Sequence, residues 1–279
     1  MIHATPARSY REFTAHWGAR QRFRSAARDA AVALLSLRRS IAKTSRWIGF
    51  PYYHHVFDDE RAGFARQLKY MRRFGEFISL DDALSLLESC MPIDGRYFCI
   101  TFDDGFRNVI TNAAPITNEH KVPLAVFIAT SFIAEPGNEN QPRGDFFEYE
   151  GAAMEFLSWN QVRALHNDQC TIGSHTVSHL RLKGATESHV VQELNESRTR
   201  IEAETGAECR HFCVPYGRPN FDFDPAIHVK LAAQAGYRSF LTTRRGLNRR
   251  AAPGDPIVLN RDHMLASWNL AQVRYFFGA

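Results

Sequence analysis

Asp103 and Asp104 stand side by side in Thr101-Phe102-Asp103-Asp104-Gly105-Phe106, directly after the apolar run Tyr97-Phe98-Cys99-Ile100. Adjacent carboxylates at a strand end repel each other and favour water or a cation. An Asp-Gly pair is also a frequent turn, so these six residues by themselves leave both readings open. Gly173-Ser174-His175-Thr176-Val177-Ser178-His179 follows a second short strand-like run. Histidines four apart share one face if the segment turns helical, and both imidazoles can then reach one metal. Two histidines and a carboxylate are a common ligand set for catalytic zinc, with a further position open to water. Val214-Pro215-Tyr216-Gly217-Arg218-Pro219 ends a third run; it is either a plain Pro/Gly turn or a backbone N–H aimed at a developing oxyanion beside an aromatic wall. Tyr52-Tyr53-His54-His55-Val56 ends a fourth. Its histidines are either half-exposed without a role or part of a site.

What decides between these readings is whether the four strand ends meet. Short β-rich runs are expected at 47–53, 97–102, 124–129, 170–173, 211–214, 239–242 and 257–259. Helical periodicity lies between them at 63–74, 80–87, 109–119, 160–166, 187–204 and 225–235. Ser79 with Asp82, and Ser158 with Gln161, have the spacing of helix caps. Strand–helix alternation argues for an α/β fold with a parallel sheet, closed as a barrel or open and doubly wound. Both place chemistry at the C-terminal ends of the strands. The polar, Gly/Pro-punctuated stretch 135–155 reads as a long loop of the kind that rims a site.

From about Trp47 to the C-terminus the sequence resembles the polysaccharide deacetylase family, the NodB homology domain or carbohydrate esterase family 4. TFDDGF at 101–106 and SHTVSH at 174–179 carry the resemblance, with FLSWNQVRAL, PYGRP and AGYRSFLTTRRGLNR in support. The resemblance implies a distorted (β/α)7 barrel and metal-dependent removal of an N-acetyl group from a sugar. Residue by residue it implies Asp104, His175 and His179 as ligands of one divalent ion, with zinc expected. It implies Asp103 as general base and the backbone of Tyr216 as part of an oxyanion hole. Many members carry an Arg two residues before the Pro of the third motif, where it orients the base; here that residue is Cys213. The late segment Val258-Leu259-Asn260-Arg261-Asp262-His263 is not a clean Leu-x-His. The Tyr-His-x-Val pattern of the first strand resembles a subgroup with rotated motif order, which implies His54 as general acid and His263 as its rival. Arg261 and Asp262 are then candidates for orienting the base or binding substrate. Two other readings stay in play: a sugar-binding member with weakened catalysis, and an amidohydrolase of a non-sugar amide.

The 279 residues, 44% hydrophobic and 23% charged, are those of an ordinary globular chain with ample core. No apolar run is long enough to span a bilayer and no secretory signal is read, so a cytoplasmic location is the expectation. Five cysteines without a framework spacing are expected to be free thiols. The net charge of +4 conceals an asymmetry: residues 1–46 hold ten Lys/Arg against two Asp/Glu. Residues 1–45 therefore read as a basic helical extension to a domain at 46–279, either a solvated helix or a contact for an anionic membrane face. Nucleic acid is not expected, because no recognised module interleaves aromatic with basic residues. The expected partner is an acetylated polysaccharide, oligosaccharide or lipid-linked saccharide.

Overall fold

A computed structural model describes residues 5–89, 91–135, 137, 153–249 and 256–279. Most of the expected loop at 135–155 and Cys90 lie outside these residues.

The expected strand 47–53 is two strands, β1 (Trp47–Gly49) and β2 (Pro51–Tyr53). Pro51 has no N–H to continue a ladder, and the two halves pair with different partners. The run 97–102 breaks the same way at Cys99, giving β4 (Arg96–Phe98) and β5 (Ile100–Phe102). β1 pairs with β4, and β2 with β5. With β3 (Glu76–Phe77), β1 and β4 form a three-stranded sheet. The main sheet continues through β6 (Leu124–Ile128), β7 (Thr171–Ser174), β8 (His211–Cys213), β9 (Ser239–Leu241), β10 (Ile257–Leu259) and β11 (Asp262–His263).

The strand order in the main sheet is β10-β9-β8-β7-β6-β5-β2-β11, with every neighbouring pair parallel. β10 and β11 lie on opposite edges, yet only Asn260 and Arg261 separate them. Three Cα–Cα steps reach about 11 Å at most. The edges must therefore face one another, and the sheet curls into a barrel that this last crossing nearly closes. The expected distorted (β/α)7 barrel is thus the fold, with β10 and β11 as halves of one final strand.

Burial on both faces of β2, β5, β6, β8 and β9 explains their apolar runs. Leu124, Val126 and Ile128 of β6 pack outward under the helices, while Ala125 and Phe127 point inward with Phe50, Cys213, Leu241 and Leu259. The helices are α3 (Arg61–Arg72), α4 (Leu80–Glu88), α5 (Ala114–Glu119), α6 (Trp159–Asn167), α7 (Glu187–Thr205), α8 (Pro225–Gln234) and α9 (Leu270–Phe277). Both expected caps form: Ser79 accepts from the Asp82 N–H, and Ser158 makes a reciprocal capping box with Gln161. The helix expected at 109–119 begins as a π-turn, Val109–Ala113, where Pro115 offers no N–H to the preceding turn.

The N-terminal segment is docked on the domain. α1 (Tyr10–Phe13) is held by Tyr10 N–H to Asp59 at 2.8 Å, and Phe13 packs with Phe57, Phe106, Met154 and Phe156. α2 (Ala19–Ser36) lies along α9, with Arg274 donating to the Ser36 hydroxyl at 3.1 Å. Among the described residues no helix is long and apolar enough to cross a membrane. Cys99, Cys170, Cys209 and Cys213 are free and buried.

Candidate active site

Parallel pairing brings the ends of β2, β5, β7, β8 and β10 to one rim, and all four sequence constellations meet there. Asp103 and Asp104 follow β5, and both are buried. Asp104 (φ +72°), Thr176 (+66°), His179 (+59°) and Tyr216 (+62°) all adopt left-handed backbone; these are four of the eight described non-glycine residues that do so. Each such residue costs about 1–3 kcal/mol and persists only where its surroundings over-determine it. Gly217 (φ +74°) is required for a further reason: a Cβ there would meet the Thr243 nitrogen at 2.7 Å.

His175 and His179 converge on Asp104, each with Nε2 at 3.3 Å from Oδ1. They do so without a helix. Left-handed turns at Thr176 and His179 fold the segment, and Glu193 of α7 clamps it. The Glu193 carboxylate accepts from Val177 N–H (2.8 Å), Ser178 N–H (2.9 Å) and the Ser178 hydroxyl (2.7 Å). His175 Nδ1 lies 2.7 Å from the Cys213 carbonyl, to which only an N–H can donate. That bond leaves the Nε2 lone pair of a neutral His175 directed at Asp104. Both Asp104 oxygens are buried and make no hydrogen bond. A buried carboxylate at this place needs a positive partner, supplied either by protons on the facing imidazoles or by a cation held between the three side chains. The residues therefore fit a divalent metal: the ligating atoms of Asp104, His175 and His179 lie within 4.8 Å of one another.

Asp103 is held quite differently. Arg261 forms a two-pronged pair with it, Nη1 to Oδ1 and Nη2 to Oδ2, both at 2.8 Å. Its other N–H groups reach the Thr242 carbonyl, the Thr101 hydroxyl and the Cys213 sulfur. All five guanidinium donors are thus used, and the side chain is fully buried. Burial pushes the Asp103 carboxyl up, but the Arg261 charge and hydrogen bonds outweigh it and hold the group below its usual range. The small Cys213 leaves room for a guanidinium arriving from the crossing between β10 and β11. Asp262 turns away and pairs with Arg245 at 3.3 Å.

His54 follows β2 with Nε2 at 3.9 Å from Asp104 Oδ2, and its side chain is 23% exposed. His55 points to the other side, between Phe57 and Phe106, with Nδ1 bonded to Asn108; burial pushes its pKa down to about 3. His263 packs on Tyr52 and His54 at ring distances of 5.0 and 5.2 Å. Burial pushes it down to about 3 as well. The Tyr216 ring lies 5.0 Å from His179, and the Tyr216 carbonyl accepts from Thr243 at 2.8 Å.

Sequence reasoning missed Glu193. A signal existed: the buried stripe of α7, Val190, Leu194, Ser197 and Ile201, contains this one carboxylate, and such a group needs partners.

A curled parallel barrel with this rim defines a known class, and the chain belongs to the polysaccharide deacetylase family, whose profile matches residues 92–240. Among individual relatives, YxkH of Bacillus subtilis, which carries a polysaccharide deacetylase name, is 24% identical over 151 residues; the match covers 54% of this chain and 46% of YxkH. IcaB from Ammonifex degensii superimposes with a TM-score of 0.68 at 23% identity, covering 84% of this chain and 98% of that one. The Streptococcus pyogenes deacetylase PplD, solved with acetate, gives 0.63 at 19% identity, over 84% and 98%. The de-N-acetylase of Aggregatibacter actinomycetemcomitans gives 0.63 at 19%, over 82% and 99%. At these identities the structural likeness speaks for the fold.

Proposed function

We propose that the chain is a metal-dependent N-deacetylase of an acetylated saccharide. The observation that carries this is the pairing of two carboxylates in unlike surroundings: Asp104 facing two imidazoles, and Asp103 locked on Arg261. Asp104, His175 and His179 would hold a divalent ion, with zinc favoured by the donor set, and its chemistry there would be that of a Lewis acid toward the acetyl carbonyl and water. Asp103, ionised and oriented by Arg261, accepts the proton of the attacking water. The backbone N–H of Tyr216, on its left-handed turn, is proposed to donate to the developing oxyanion. His54 protonates the departing amine. The intact set argues against a binding module without turnover. The test is acetate release from N-acetylated oligosaccharides, abolished by a chelator and restored by Zn²⁺. Release from non-sugar amides alone would overturn the sugar reading.

His54 is preferred over His263 as acid on two grounds: it is the nearer to Asp104 in the structure, and burial keeps His263 neutral. His54→Ala should cut kcat by about 10²–10⁴-fold with metal retained. His263→Ala should cost less, since that ring acts by packing on His54. A larger loss from His263→Ala would reverse the assignment.

A second reading concerns the exposed face of α2. Phe23, Leu34 and Leu37 are 73%, 68% and 70% exposed, in a segment rich in arginine. An exposed apolar-and-basic helix suits an anionic membrane surface. Phe23→Ser with Leu34→Ser and Leu37→Ser should reduce sedimentation with phosphatidylglycerol vesicles, and high salt should do the same to the unaltered chain. Equal sedimentation of both chains would dismiss this contact.

A further inference from the structure

The N-terminal segment lies outside the family match, yet it reaches the rim of the site. A cavity of about 520 Å³ opens between α1, the start of α2 and the end of the barrel's last strand. One wall is Tyr10, Phe13, His16 and Trp17; the other includes His54 and His263. The first wall is built, not draped. Asp58 N–H donates to the Arg8 carbonyl at 3.0 Å, and Phe13 packs on Phe57 at 5.2 Å. Arg22 ties the turn between α1 and α2, with Nε to the Trp17 carbonyl at 3.0 Å and Nη2 to the Ala15 carbonyl at 2.9 Å. The Trp17 ring meets Tyr10 edge-on at 6.3 Å. Arg28 stacks over Trp268 at 5.1 Å and closes the far end.

We propose that this cavity is a saccharide subsite, and that the N-terminal segment is a specificity element of the enzyme. The proposal rests on the N-deacetylase reading above. His54 forms part of the cavity and delivers its proton to the leaving amine, so the cavity lies where the amine-bearing sugar and its neighbours must extend. Its lining matches that ligand: aromatic faces for the C–H faces of a pyranose, with a few polar groups around them. Arg28, His16 and Gln21 offer donors to ring hydroxyls and acetamido carbonyls. A subsite of this kind favours an oligosaccharide over a single sugar, because its aromatic wall, Tyr10, Phe13 and Trp17, would hold a sugar unit beyond the one that is deacetylated.

The experiment compares N-acetylglucosamine with its fully acetylated pentasaccharide, using the whole chain, Trp17→Ala and Trp17→Phe. Trp17→Ala should raise KM for the pentasaccharide about tenfold with kcat within about threefold. The rise for the monosaccharide should be much smaller, and Trp17→Phe should recover most of the loss. An equal rise for both sugars, or none for the pentasaccharide, would overturn the proposal. Calorimetric binding of the pentasaccharide separates this from the function itself. If the unaltered chain releases no acetate but binds the pentasaccharide, and Trp17→Ala weakens binding about tenfold, the subsite stands and the deacetylase reading falls. If the unaltered chain does not bind it, the subsite falls.

Discussion

Replacing both His175 and His179 with alanine should leave a folded chain that holds less than about a tenth of an equivalent of zinc. Deacetylation should fall by at least about 10⁴-fold, since the change removes both the Lewis acid and the activation of water. The Asp104 carboxylate sits buried without hydrogen bonds, so binding of a cation there contributes to folding as well as to chemistry. An ion that binds only the native state raises the midpoint of unfolding. Chelation should therefore lower the melting temperature of the unaltered chain and leave that of the double variant unchanged. Metal analysis, acetate release and thermal unfolding check the three parts. Full zinc occupancy in the double variant would remove Asp104, His175 and His179 as the ligand set.

Asp103→Asn should retain the metal and lose about 10³–10⁴-fold in kcat, because the amide can no longer take a proton. It should also destabilise the fold. An asparagine turns an NH₂ toward the Arg261 guanidinium, whose other donors are already engaged, and leaves a buried cation with half its partner. Breaking a buried pair from one side costs about 3–5 kcal/mol. Arg261→Met should cost a similar amount and should also slow turnover, since nothing else then grips both oxygens of the base. The double variant Asp103→Asn, Arg261→Met should be more stable than the two single losses added together. Strict additivity in denaturant unfolding would mean that the two side chains do not act as one unit. Normal turnover in Asp103→Asn would place the base elsewhere.

Much of this site was legible because it is local. The pattern Thr101–Phe106 states a strand that ends in two carboxylates, and His175 and His179 likewise follow a strand end, two strands further along the sheet. The caps at Ser79 and Ser158 form as written, because a cap needs only its own first turn. What was not legible depends on long-range packing. Trp47 to Tyr53 reads as one strand, since nothing in it tells which sheet each half joins. The helical spacing of His175 and His179 was the natural local reading. The actual turn is set by Glu193, which is 14 residues beyond His179 in sequence.

Arg261 marks the boundary most clearly. The sequence by itself determined the class of fold, the two carboxylates, the histidine pair and the absence of the usual arginine at Cys213. Those follow from residue type and short spacing, which survive in any one-dimensional reading. That Arg261 fills the vacated place, that His54 faces Asp104 while His55 is buried among phenylalanines, and that residues between Tyr10 and Arg28 wall the cleft were decided only by tertiary structure. The reason is geometric. The last strand passes from one edge of the curled sheet to the other, and that crossing carries Arg261 to Asp103 across 158 residues of chain. Partners set by barrel closure leave no periodicity in the sequence that could announce them.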